Sequence, residues 1–203
     1  SAVVIDAYDG GSYIRILPEL LAVVGYTTKN CGGVPENFRN WFVIRFDKAF
    51  ENMMIYEGPE KGIGEALEFE GEHVLASVGF RTRRNETVNV HTASSFISLE
   101  QAWLNLEEVG EKSFDEVTAD AKDRWNEVLS HIQVGGGSEE QFRTFYSCLY
   151  RATLFPRKFY EIGPDGKAYH YSPYNGKVCE GYLYTDTGFW DTFRALFPLL
   201  NLV

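Results

Sequence analysis

Residues 87–101 read Thr87-Val88-Asn89-Val90-His91-Thr92-Ala93-Ser94-Ser95-Phe96-Ile97-Ser98-Leu99-Glu100-Gln101, and the chain changes period within this stretch. Thr87 to Thr92 alternates, as a half-buried strand does. Ser98-Leu99-Glu100-Gln101 is a capping-box pattern instead. The Ser98 hydroxyl can accept from an early helix N–H while the Gln101 side chain reaches back to the cap. The fold class depends on which period rules on each side of this switch.

Towards the N-terminus the rule is period two, or short apolar runs broken by turn residues. Tyr13-Ile14-Arg15-Ile16-Leu17 alternates and meets Pro18, and Ala22-Val23-Val24-Gly25-Tyr26 is short and β-branched. Trp41-Phe42-Val43-Ile44-Arg45-Phe46 is dense, Glu65 to Glu70 alternates strictly, and His73 to Phe80 continues the pattern. Closely spaced strands with Gly-rich turns predict a β-sandwich over 1–97.

Towards the C-terminus the rule is helical. The first helix is expected to end at Gly110. Ser113-Phe114-Asp115-Glu116 opens a second, with Phe114, Val117, Ala121, Trp125, Val128 and Ile132 along one stripe. Gly135-Gly136-Gly137 breaks the chain, and Ser138-Glu139-Glu140-Gln141 starts a third helix, ended by Pro156. That helix carries Phe142, Phe145, Tyr146, Leu149, Tyr150 and Leu154 on several faces, so it is expected deep between neighbours, with Cys148 as inert packing. Lys158–Ile162 and Lys167–Tyr171 flank the turn sequence Gly163-Pro164-Asp165-Gly166. Residues 172–187 read as irregular and aromatic, with a last helix starting near Thr187 or Gly188.

Composition excludes several functions. The 203 residues carry a net charge of −10, which disfavours a phosphate backbone as partner. The basic run Arg81-Thr82-Arg83-Arg84 reads as a solvated strand end or turn. Cys31, Cys148 and Cys179 have no C-x-x-C spacing, so a zinc cluster is unsupported and at most one disulfide can form. No apolar stretch is long enough to span a membrane. His73, His91, His131 and His170 have no metal-ligand spacing, and no serine or cysteine nucleophile arrangement stands out. Asn85-Glu86-Thr87 is a glycosylation sequon only where the source glycosylates. The aromatic share is 15%, and aromatic faces suit sugar rings as well as a large core.

The sharpest cluster is Trp190, Asp191 and Arg194 in Gly188-Phe189-Trp190-Asp191-Thr192-Phe193-Arg194. On a helix these three share a face. A carboxylate beside a guanidinium stays ionised and can hold vicinal hydroxyls, while the indole offers a stacking surface. The same spacing also fits an ordinary Asp–Arg pair beside a core Trp.

Several segments in order resemble glycoside hydrolase family 92, the calcium-dependent exo-α-mannosidases. They are Val23-Val24-Gly25-Tyr26-Thr27, Cys31-Gly32-Gly33-Val34-Pro35-Glu36-Asn37-Phe38, and Ser94 to Ala102. Phe145-Tyr146-Ser147-Cys148-Leu149-Tyr150-Arg151-Ala152 and Phe189 to Leu200 complete the set. The resemblance implies an α+β architecture: a β-sandwich (1–97), a helical linker (98–137) and the first helices of an (α/α)₆ barrel (138–203). It implies inverting removal of terminal, mostly α-1,2-linked mannose from a glycan, with Ca²⁺ in the parent enzyme. Under it the chain reads as an N-terminal fragment, cut at both ends, that needs the remainder of the barrel as partner. The acid, the base and most calcium ligands would follow Val203, so the isolated chain is expected to be inactive. Trp190 and Asp191 carry over as mannose-binding residues, with Arg194 either joining the pocket or orienting Asp191. The loop from Cys31 to Asn37 is expected to approach the site from the sandwich, and the family favours a periplasmic, cell-surface or secreted setting. The rival reading is a non-catalytic carbohydrate-binding or assembly module.

Overall fold

The computed structural model describes residues 1–202. The chain forms two compact units, Ser1–Gly110 with Glu161–Gly181, and Glu111–Tyr160 with the residues from Tyr182 onward.

The first unit is the sandwich. Its strands are β1 (Ala2–Asp6), β2 (Ser12–Leu17), β3 (Ala22–Thr27), β4 (Asn40–Phe46), β5 (Asn52–Glu57), β6 (Lys61–Gly62), β7 (Glu68–Gly71), β8 (Val74–Gly79) and β9 (Val90–Ser95). One sheet runs β7-β2-β3-β4-β9 and the other β1-β8-β5-β6, with every neighbouring pair antiparallel. The core between them draws Ile14, Ile16 and Val23 from the first sheet. Ile5, Ile55, Val74, Ala76 and Val78 come from the second. Phe46, Phe50 and Phe80 close one side, with ring centroids 5.2–5.7 Å apart. β1 forms in the strand-like opening residues, while β5 escapes the sequence pattern because the exposed Met54 blurs its alternation.

The short β-branched run of β3 has a physical cause, since both its faces are covered. Val23 joins the sandwich core, while Val24 and Val43 pack against Ala102 and Leu106 of helix α1 (Leu99–Leu106). A Cβ on Gly25 would lie 2.0 Å from the Tyr13 carbonyl oxygen and 2.8 Å from the Phe42 ring, so no side chain fits there. The cap of α1 is half a box. Ser98 accepts from the Gln101 N–H, but the Gln101 amide is drawn away to Asn105 Oδ1 (2.9 Å) and the Ile162 carbonyl (2.8 Å). The helix also stops at Leu106, ahead of the expected Gly110.

In the second unit, α2 (Phe114–Leu129) and α3 (Glu139–Ala152) both open with complete capping boxes on Ser113 and Ser138. Neither buries what its sequence offers. No residue of α2 is buried, Phe114 being 76% exposed, and α3 buries only Leu149. The expectation of a deep third helix with a packed Cys148 is therefore corrected, and Cys148 is exposed. Among the described residues of this unit, Trp125 of the stripe meets the Tyr150 ring at 4.4 Å.

Short strands follow: β10 (Arg157–Lys158), β11 (Glu161–Ile162), β12 (Ala168–Tyr171), β13 (Val178–Glu180) and β14 (Tyr184–Thr185). The predicted turn forms, with Gly163 N–H donating to the Lys167 carbonyl and Gly166 at φ +79°. β13 and β14 lie in the stretch expected to be irregular. The β11-β12-β13 sheet belongs to the first unit, and β10 pairs with β14 in the second.

Two segments beyond residue 97 share the compact unit of the sandwich. α1 stays with the sandwich because Ala102 and Leu106 are wholly buried there. Residues 161–181 return to it because Glu161 accepts from Phe96 N–H (2.9 Å) and from the Asn105 amide (2.7 Å).

Candidate functional site

The segment holding Trp190, Asp191 and Arg194 lies in the second unit. Ahead of it, Arg157 pairs with Asp186 across β10 and β14, and Phe159 N–H donates to the Leu183 carbonyl. Tyr160 meets the rings of Tyr182 and Tyr184 at 4.8 and 5.8 Å. The chain then enters a four-residue helix, α4 (Phe189–Thr192), turns, and enters α5 (Leu196–Leu200). One helix was expected and two short ones form. The break falls at Ala195, whose φ of −127° leaves the helical range. Phe189 stacks with Phe193 (5.6 Å) and with Phe197 (5.7 Å), which joins the two short helices through one aromatic row.

That break changes the predicted constellation. Trp190 and Asp191 share α4, while Arg194 lies in the turn beyond it. The shared helical face therefore does not extend to Arg194. No ion pair joins Asp191 to Arg194 among the described residues, and the Arg194 guanidinium lies over the Phe193 ring at 5.1 Å. Trp190 is 85% exposed, which removes the reading of a core tryptophan within this chain. The Asp191 carboxylate folds back towards Gly188, where an added Cβ would sit 3.0 Å from Oδ2. Glycine at 188 leaves that carboxylate room. An open indole, a carboxylate and a guanidinium follow one another along an exposed edge that can stack on a sugar ring and accept from its hydroxyls.

The loop from Cys31 to Asn37 lies in the first unit. Gly32 and Gly33 adopt φ of +95° and +78° with open space around them, and Cys31 is exposed. Asn37 is clasped: its amide donates to the Gly176 carbonyl (2.8 Å), and Tyr171 Oη donates to its Oδ1 (3.1 Å). Local pattern cannot reveal this clasp, because its partners lie 139 and 134 positions away. The Arg81–Arg84 run leads into a turn at Arg84-Asn85, with Asn85 at φ +64° and Glu86 bound to Lys48. All three cysteines are free. Among the described residues no group of three or more His, Cys, Asp or Glu side chains converges as a metal site, so these residues do not fit a calcium ion by themselves. No helix is long and apolar enough to cross a membrane among the described residues.

Residues 101–203 match the family described as the glycosyl hydrolase family 92 catalytic domain, and the chain belongs to that family. The match begins inside α1. Among solved structures, the chain is 44% identical to the family GH92 inverting mannosidase BT2199 from Bacteroides thetaiotaomicron, at a TM-score of 0.93. That likeness covers 98% of this chain and 27% of that one. The family GH92 α-mannosidase BT3965 from the same organism, solved with mannoimidazole, shares the fold at 24% identity and a TM-score of 0.84. It is covered over 98% of this chain and 27% of its own length. The GH92 family glycosyl hydrolase ccman5 shares the fold at 18% identity, with a TM-score of 0.79 over 95% of this chain and 26% of its own. The chain thus spans about a quarter of the length of the solved relatives it matches. No curated protein matches it.

Proposed function

We propose that the chain is the N-terminal part of a longer inverting exo-α-mannosidase that releases terminal α-1,2-linked mannose from glycans. The observation that carries this reading is the 44% identity, over 98% of the chain, to a relative described as an inverting mannosidase. In this reading Trp190 stacks on the terminal mannose, Asp191 accepts from its hydroxyls, and Arg194 completes the edge. In this reading 1–97 form the sandwich, 98–137 the linker and 138–203 the opening of the (α/α)₆ barrel, with α1 and residues 161–181 folded back onto the sandwich. The exposed stripe of α2 and the open faces of α3 support it, since a completed barrel would cover them.

Inversion needs one acid to protonate the leaving oxygen and one base to activate water, with carboxyls roughly 6.5–9.5 Å apart. In this reading both groups, and most of the calcium ligands, belong to the rest of the longer enzyme, and no residue here replaces them. The chain alone releases no mannose, and release by the purified chain would contradict that. The direct test follows the anomeric proton of mannose freed from α-1,2-mannobiose by the longer enzyme. β-Mannose as first product is expected. α-Mannose, or no release with calcium supplied, overturns the reading.

A further inference from the structure

The connection from β8 to β9 holds the basic run Arg81-Thr82-Arg83-Arg84, and with Lys48 it lines a cleft of about 860 Å³. That volume is within the range of small-molecule sites, roughly 300–1,000 Å³. Strand register sets its place. Phe46 of β4 faces Val90 of β9, so the connection lies at that end of the five-stranded sheet. The Cys31–Asn37 loop leaves the other end, where Thr27 of β3 faces Asn40 of β4.

The connection is tied down along its length. Phe80 is buried in the sandwich core, and Val88 packs against that core. The Asp47 carboxylate accepts from the Asn89 backbone N–H (2.9 Å) and side-chain amide (2.6 Å). The Asp47 N–H donates in turn to the Asn89 carbonyl at 3.2 Å. Between these anchors the Glu86 N–H donates to the Arg83 carbonyl at 3.2 Å and closes a four-residue turn. Asn85 takes the third position at φ +64°, a left-handed value that asparagine tolerates. A backbone ordered in advance limits the entropy lost on binding.

The charges around the turn are unevenly matched. Glu86 takes Lys48 through one carboxylate oxygen and the Arg83 N–H (2.7 Å) through the other. The Lys48 bond first, and then the Arg83 N–H, hold the Glu86 carboxyl below its ordinary value, so it stays ionised. Glu86 is the one carboxylate in the lining among the described residues. The Arg81, Arg83 and Arg84 side chains are exposed and make no hydrogen bond or ion pair among the described residues. Three guanidiniums thus gather on one short connection of a chain whose net charge is −10. Like charges this close repel, and an oxyanion placed among them relieves the repulsion. Guanidinium forks match the oxygens of phosphate and sulfate in bidentate fashion. The overall negative charge opposes a long polyanion, which favours a small ligand with one such group.

We propose that this cleft binds a small ligand through a phosphate or sulfate group held by Arg81, Arg83 and Arg84. The test is an NMR titration of the 203-residue chain with sodium phosphate and with sodium sulfate, at an ionic strength fixed with sodium chloride. Saturable shifts confined to the amides of residues 81–87 are expected. Arg83→Gln combined with Arg84→Gln should weaken binding about tenfold, the loss of charge-assisted hydrogen bonds at an exposed site. Glu86→Gln should tighten it about threefold, the size of one exposed charge pair, since it removes a carboxylate and releases Lys48. Arg124→Gln, on α2, should leave it unchanged, and matched thermal unfolding curves check that each variant folds. Where the double variant fails to fold, the shift map of the natural chain and the Glu86→Gln affinity decide. Phosphatidylcholine vesicles with and without phosphatidic acid separate the sources of the group. Binding of the free anion without retention on either vesicle is expected. Retention on phosphatidic acid that the double variant loses keeps the site and assigns it a lipid headgroup. Shifts that never saturate, that chloride alone reproduces or that fall outside residues 81–87 overturn the proposal. So does an affinity unchanged in the double variant or not raised by Glu86→Gln.

Discussion

The two units treat similar apolar patterns in opposite ways. In the sandwich, Ile14, Val23, Val43, Ile55 and Val78 are shielded to within 1% of full burial. In the helical unit, α2 repeats its apolar residues at a clean helical period, yet Phe114, Val117 and Val128 remain exposed. The difference lies in who supplies the cover. Two sheets and α1 close over one another inside the first unit, whereas the stripe of α2 meets little within its own unit. Periodicity therefore states which face needs cover, and not where the cover comes from.

That contrast can be broken by mutation. The largest effect is expected from Ile14→Ala, which leaves a cavity in a fully packed core and should cost about 2–5 kcal/mol. Phe114→Ala, on the open stripe, should stay within about 0.5 kcal/mol in the isolated chain. Urea unfolding of both variants measures the two together, and equal losses would end the contrast. Gly25→Ala comes next, because its Cβ would collide with the Tyr13 backbone. About 1–3 kcal/mol is expected, or more where the backbone cannot yield. A thermal midpoint equal to that of the natural chain would contradict the close approach of β2 and β3.

The smallest effect is a pH dependence in the helical unit. Backbone and hydroxyl hydrogen bonds from Ser113 hold the Glu116 carboxyl below its ordinary value. A group depressed in the folded state stabilises fully above its unfolded value and loses that contribution as pH falls through the folded one. The first turn of α2 should therefore fray as pH drops below the ordinary glutamate range, about 4.3. Amide exchange at Val117 should rise there, and Glu116→Gln should remove most of the pH dependence. A flat profile in the natural chain would mean that the cap contributes nothing.

How much was legible depended on range. The sandwich, the period change near Ser98, the two complete capping boxes and the Gly163–Gly166 turn are local patterns, and each formed. β5 was hidden because the exposed Met54 breaks its alternation. The split of the last helix at Ala195 was hidden too, because the Phe189–Phe193–Phe197 row keeps a helical period across the break. Gln101 shows how tertiary partners override a local motif, since Asn105 and Ile162 claim the amide that the capping box needed. At the candidate site, Trp190 and Asp191 were legible as a pair. Their exposure, and the separation of Arg194 from their helix, were not. The Tyr13–Tyr26–Trp41 ring row was unreadable because its members come from three different strands.

One measurement tests most directly whether the Trp190–Asp191 edge holds the sugar. It is kcat/KM on an α-1,2-mannoside for the longer enzyme and for its Asp191→Ala variant, with unfolding curves matched. A carboxylate that positions the terminal mannose should show a fall of about 100-fold. A variant with near-normal kcat/KM would return Asp191 to a structural role and contradict the account.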